Sequence, residues 1–158
     1  MSLQLQGANA LTAAFTSGGL AIGSTTSQFT NANTITYVIN GRFYSRASIA
    51  SQALVIEPGT GIVPTAPNTL QNIPAGSSCA FSVVLDTSGA FTVVQGPIVE
   101  GVTASCPVPQ APVGKAIVGV IKVANGTASA FVPGTTAFNT ASVTTTYINL
   151  SQHPGAAV

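Results

Sequence analysis

Charge is what this chain has least of. Four Lys and Arg with three Asp and Glu make 4% of 158 residues, against roughly a quarter in an ordinary soluble chain. There is no Trp, one Met, one His and two Cys. Each shortage excludes something. A net charge of +1 supplies no basic surface for binding nucleic acid by counterion release. Two cysteines, Cys79 and Cys106, are too few for a disulfide scaffold and match no zinc spacing. They read as two reduced, packed thiols, with a single bridge between them as the alternative. No window approaches the roughly 18 apolar residues of a membrane span; the best, 116–123, is short and contains Lys122. The N-terminal stretch lacks a basic region and its apolar residues are diluted, so it makes a poor signal peptide.

Catalytic chemistry is equally thin. His153 is the sole histidine and sits beside Pro154, remote from every acid. A Ser-His-Asp set would need Asp86, which opens a hairpin turn where Asp serves its own backbone. A carboxylate pair could come only from Glu57, Asp86 and Glu100, each beside a turn or loop. Metal-ligand spacing is absent, and Gly18-Gly19 has neither the Lys nor the context of a phosphate loop. Asn125-Gly126-Thr127 matches a glycosylation acceptor formally but reads better as a turn. These residues predict neither enzyme nor cofactor.

The space left by charge is filled with 20 Thr, 15 Ser, 16 Gly and 10 Pro. Branched Cβ atoms favour pleated backbone, and Gly and Pro interrupt the chain too often for long helices. Hydroxyls wet an exposed sheet face without like-charge repulsion, so such faces associate readily.

Residues 1–32 read as an extended N-terminal arm with spaced apolar anchors, Leu11, Phe15, Leu20 and Phe29 among them, that dock on a neighbour; a short helix over 9–15 is compatible with the sequence. Order is expected from Asn33. TITYVI (34–39) is strand-like, Asn40-Gly41 is a hairpin turn, and Arg42-Phe43-Tyr44 returns as its partner. One helical turn fits 45–53, and a short strand fits 54–56. CAFSVVL (79–85) and AFTVVQ (90–95) flank a turn closed by Gly89 and form the clearest hairpin, with Phe81, Val83 and Leu85 on one face. A Pro-rich crossing, 106–112, leads to a nearly continuous apolar run over 115–123, as for a strand buried on both faces. Its ends carry Lys115 and Lys122, expected to face solvent. A second hairpin is expected around Ala124-Asn125-Gly126 with 127–132, then a last strand over 142–150 and a tail, 151–158. The domain 33–150 is therefore all-β, a single antiparallel β-sandwich or jelly-roll-like barrel of about eight short strands.

RFYSR (42–46) places Arg42 and Arg46 beside Phe43 and Tyr44. Arg pairs bidentately with carboxylates at interfaces and Tyr is the matching amphipathic anchor. These four are candidate partner contacts, with an equal alternative as rim residues guarding an edge strand.

TITYVINGRFYSRA (34–47), CAFSVVLDTSGAFTVVQGP (79–97) and PVGKAIVGVIKVANG (112–126) together resemble the head decoration, or capsid cement, proteins of tailed bacteriophages. The shared features are Tyr37, Ile39, Gly41, Arg42 and Tyr44, the Cys-started hairpin with Asp86 and Gly89, then Gln95-Gly96-Pro97 and the strand after Gly114. The resemblance covers roughly 34–150. It implies a virion structural protein, made in the host cytoplasm, that binds the major capsid protein on the outside of the head as a homo-oligomer, a trimer favoured over a dimer. A fibre or adhesin module binding a host-surface glycan is the alternative function, and a small hydrolase a third.

Overall fold

The computed structural model describes residues 11–151. Eleven strands and no helix are found there: β1 (Ala13–Ala14), β2 (Leu20–Ile22), β3 (Phe29–Asn31), β4 (Ile35–Ile39), β5 (Arg42–Arg46), β6 (Ile49–Gln52), β7 (Ser77–Leu85), β8 (Phe91–Gln95), β9 (Val99–Glu100), β10 (Ala116–Asn125) and β11 (Val143–Asn149). They form three antiparallel sheets, β11-β10-β7-β8 with β9 on the start of β7, β1-β4-β5, and β2-β3-β6. The fold is an all-β sandwich.

The central pair, β7 and β10, is in register from Ala116–Leu85 to Asn125–Ser77, with one irregularity between Ile117 and Gly119. Cys79, Phe81, Val83 and Leu85 alternate onto the core face and meet Phe91 and Val93 of β8. The two smaller sheets close that face with Leu20, Phe29, Ile35, Tyr37 and Ile39. β7 is buried along its whole length, so its second face needs a cover as well. The loop from Gly101 through the Pro-rich crossing supplies it. Ser78 Oγ donates to Gly101 O (2.7 Å), Ser82 Oγ to Pro109 O (2.6 Å), and Lys122 Nζ to Ala104 O (2.7 Å). Pro109 suits this role because it brings a carbonyl acceptor without an N–H to satisfy.

Several expectations are corrected. Residues 11–32 are not an arm: they contribute β1, β2 and β3 to two sheets, and order precedes Asn33. The pattern there is hidden because strands of two or three residues carry too few positions for a period of two to register. Residues 1–10 and 152–158, with the outer arm, the start of the proposed 9–15 helix and the tail bearing His153, lie outside the described residues; Ala13 and Ala14, within that proposed helix, are β1. The helical turn over 45–53 is instead the end of β5 and β6, and the short strand over 54–56 reduces to one bridge, Ile56 with Val93. Finally, 127–132 does not pair back on β10. Asn125 is fully buried, its Nδ2 donating to Ile73 O, Pro74 O and Ser129 O, and its Oδ1 accepting from Thr127. That side chain holds the loop away from the strand, and β11 takes the vacant edge.

Gly119 lets β10 pack closely against Leu20 of β2 and the backbone of β11. A Cβ there would lie 2.3 Å from Leu20 Cδ1 and 2.7 Å from Ile148 O. Because the second of these is backbone and cannot rotate away, Gly119→Ala is expected to destabilise the fold by about 1–3 kcal/mol, the range for overpacking a core. Urea unfolding midpoints of the two proteins measure it.

Candidate interaction surface

β4 and β5 are joined by Asn40 and Gly41, both at positive φ (50° and 77°), as a tight hairpin requires. Pairing runs from Ile39–Arg42 to Ile35–Arg46, and β5 is the outer strand of its sheet. The period of two then separates RFYSR into unlike sides. Tyr44 turns inward and stacks on Tyr37, ring centroids 5.6 Å apart at 24°. Tyr37 is buried and its Oη donates to Asp86 O at 2.8 Å. Burial, with the Asp86 charge behind it, raises the Tyr37 phenol above its ordinary range. Arg46 lies over the Phe91 ring at 5.6 Å, and its Nε is buried without a hydrogen-bond partner. It is committed to the core edge rather than offered to a partner. Phe43 points the other way and is 72% exposed. It rests on Phe15 (centroids 5.6 Å, 36°), above Val38, which pairs with both Phe43 and Ala13.

The remaining arm candidates divide. Leu11 is exposed, and its carbonyl accepts from Gly41 N (3.0 Å), which sets it beside the hairpin turn. Leu20 and Phe29 are corrected. Phe29 is 0% exposed and meets Phe91 edge-on at 5.6 Å, and Leu20 is buried against Gly119 with its N–H donating to Asn149 Oδ1 (2.6 Å). Both are core residues. Thus Leu11, Phe15 and Phe43 lie together beside the hairpin, Arg42 is exposed at the start of β5 on the side that Tyr44 and Arg46 share, and two candidates leave the set.

Next to this surface lies a groove of about 540 Å³ between β1, the hairpin turn and the loop before β10, lined by Thr12, Asn40, Val113, Ile117 and Leu150 among others. Val113 stands fully exposed at its rim. Sequence reasoning missed this feature. It is made by Leu150 and Val113 meeting β1, residues 37 or more positions apart with no local signal.

At the groove's inner end is a charged cluster. Lys115 Nζ is 3.1 Å from Glu57 Oε2 and 3.6 Å from Asp86 Oδ2, and Thr92 Oγ1 donates to Glu57 Oε2. The expectation that Lys115 and Lys122 face solvent is therefore corrected: Lys115 holds two carboxylates, and Lys122 holds the crossing loop. Asp86 serves its turn, as expected, accepting at Oδ1 from Ser88 N (2.8 Å), Ser88 Oγ (2.6 Å) and Ala90 N (3.0 Å). Burial works to raise its carboxyl, but these bonds and the Lys115 charge outweigh that and hold it below the usual range. Both thiols are free; burial pushes Cys79 up to about 11 and raises Cys106 as well. Among the described residues no three of His, Cys, Asp and Glu lie close enough to share a metal ion.

No family model, curated protein or solved structure matches this chain. The chain presents an exposed aromatic ridge on β5 and a groove beside β1, along the two opposite edges of one three-stranded sheet.

Two outcomes test this account. Phe29→Ala is expected to cost about 3–5 kcal/mol and Phe43→Ala below about 1 kcal/mol, since truncating a buried ring leaves a cavity and truncating an exposed one does not; chemical denaturation separates them. Asp86 is depressed in the fold, so its contribution is whole above its ordinary value of 3.8 and is lost as pH falls through the lower folded value. Asp86→Asn should flatten that acid limb of the melting temperature against pH.

Proposed function

We propose that this chain is a capsid decoration protein, which binds the outside of a phage head at capsomer junctions, contacts the major capsid protein, and acts as a homo-oligomer with a trimer favoured. It carries out no reaction. Its work is to add buried area across seams of a shell, and many symmetry-related copies multiply a modest contact. The resemblance of residues 34–47, 79–97 and 112–126 to cement proteins supports this reading. So does the economy of charge, which leaves hydroxyl-rich faces with little mutual repulsion.

The observation that carries the reading furthest is the groove beside β1 with Val113 fully exposed at its rim. An apolar side chain bare to solvent at the rim of a groove of mixed polar and apolar lining is a candidate anchor for a partner segment. We assign the shell contact to this groove.

Heads assembled without this chain, mixed with the purified protein and sedimented, are expected to carry it down and to withstand heating better than bare heads. Val113→Asp should fold normally and fail to sediment with heads. Wild-type protein left in the supernatant would overturn the reading.

A further inference from the structure

Most of the chain's few charged side chains are spent inside one copy. Lys115, Glu57 and Asp86 hold one another, Lys122 holds the carbonyl of Ala104, and Arg46 covers Phe91. Among the described residues only two charged side chains are exposed, Arg42 and Glu100, and neither is in an ion pair. They are of opposite sign. Each also has a bare apolar neighbour along the same edge: Phe43 follows Arg42 on β5 and points to the other side of that strand, and Val102, 42% exposed, comes two residues after Glu100. Each stands on a strand paired along one side only, β5 on β4 and β9 on β7.

These two surfaces cannot meet within one molecule. β9 pairs with Ser77 and Ser78 at the start of β7. The β4–β5 hairpin is tied to the other end of that strand through Tyr37 and Asp86. Nine residues of β7 separate the ends, a span of about 25 Å at roughly 3.3 Å per residue.

We propose that copies of this chain meet through these unlike surfaces, Arg42 and Phe43 of one copy against Glu100 and Val102 of the next. The proposal deepens the reading above and rests on it for self-association. A second copy is the fitting occupant because burying Arg42 at a contact calls for an acidic partner, and among the described residues the one exposed acidic side chain is Glu100. The two halves differ, so the contact is heterologous and is satisfied throughout when the copies close into a ring. The apolar neighbours supply area and the charges set register, which is the usual division of labour at an interface.

Reversal of charge tests it. Arg42→Glu and Glu100→Arg, each confirmed folded by circular dichroism, are expected to weaken self-association at least about tenfold in light scattering, because like charges then oppose. The double variant Arg42→Glu with Glu100→Arg is expected to recover it, and added salt to weaken the wild-type assembly. Single reversals without effect, or a folded double variant that fails to recover, would overturn the contact. So would a wild-type monomer. Head sedimentation of the same proteins keeps the two readings apart: a monomer that still binds heads sinks this contact alone, and an assembled chain that leaves heads bare sinks the decoration role alone.

Discussion

Both faces of the β7–β10 ladder are dry, and most of the molecule answers to that. A strand pair buried on two sides must find an internal acceptor or donor for every polar group it carries, since an unpaired buried group costs on the order of 1–3 kcal/mol. Ser78, Ser82 and Lys122 use carbonyls of Gly101, Pro109 and Ala104 in the loop that ends in the Pro-rich crossing. Asn125 gathers three carbonyls from two loops. At the end of β8, buried Gln95 accepts from Gln71 N and donates to Gln71 O. The long irregular segments are thus not slack between strands. They are the second cover of the central sheet, fixed by the hydroxyl and amide groups that the strands present to them.

The same constraint explains where charge is found. Lys115 sits at the entrance to β10 with Glu57 and Asp86, where the hairpin turn, the 57–60 turn and the central sheet converge. One cation shared by two carboxylates, with Thr92 and the Ser88 and Ala90 donors completing the set, ties three segments that are distant in sequence. Partly buried pairs of this kind are retained more for the geometry they impose than for net stability. Having used its charge there, the chain has little left for its surface, and its outer faces are governed by hydroxyls, edges and a few bare apolar side chains.

The hairpins at Asn40-Gly41 and around Gly89 were legible because a turn of that type demands positive φ and the sequence puts Asn and Gly there. The run over 115–123 was legible because continuous apolar character suits a central strand. Two failures have separate causes. Leu20 and Phe29 looked like spaced anchors of an arm because β2 and β3 are only three residues long; their burial is created by sheets formed with β6 and by Gly119 opposite. The segment 127–132 looked like a partner strand because turn chemistry at Asn125-Gly126 is genuine, yet Asn125 turns inward and spends its side chain on the loop. Within RFYSR the residue types marked an interface, but alternation decided that Tyr44 and Arg46 would face in and Phe43 out.

By itself, then, the amino-acid order determined what is local: an all-β chain, its principal turns, and a surface with almost no ionic groups. Those properties follow from branched Cβ atoms, glycine torsions and composition, and each is fixed within a few residues. The groove at Val113, the Lys115 cluster and the isolation of Arg42 and Glu100 as the exposed charges were decided only when strands far apart in the chain were brought together. Which side chains are hidden and which remain bare is a property of the packed layers, because burial depends on what lies opposite.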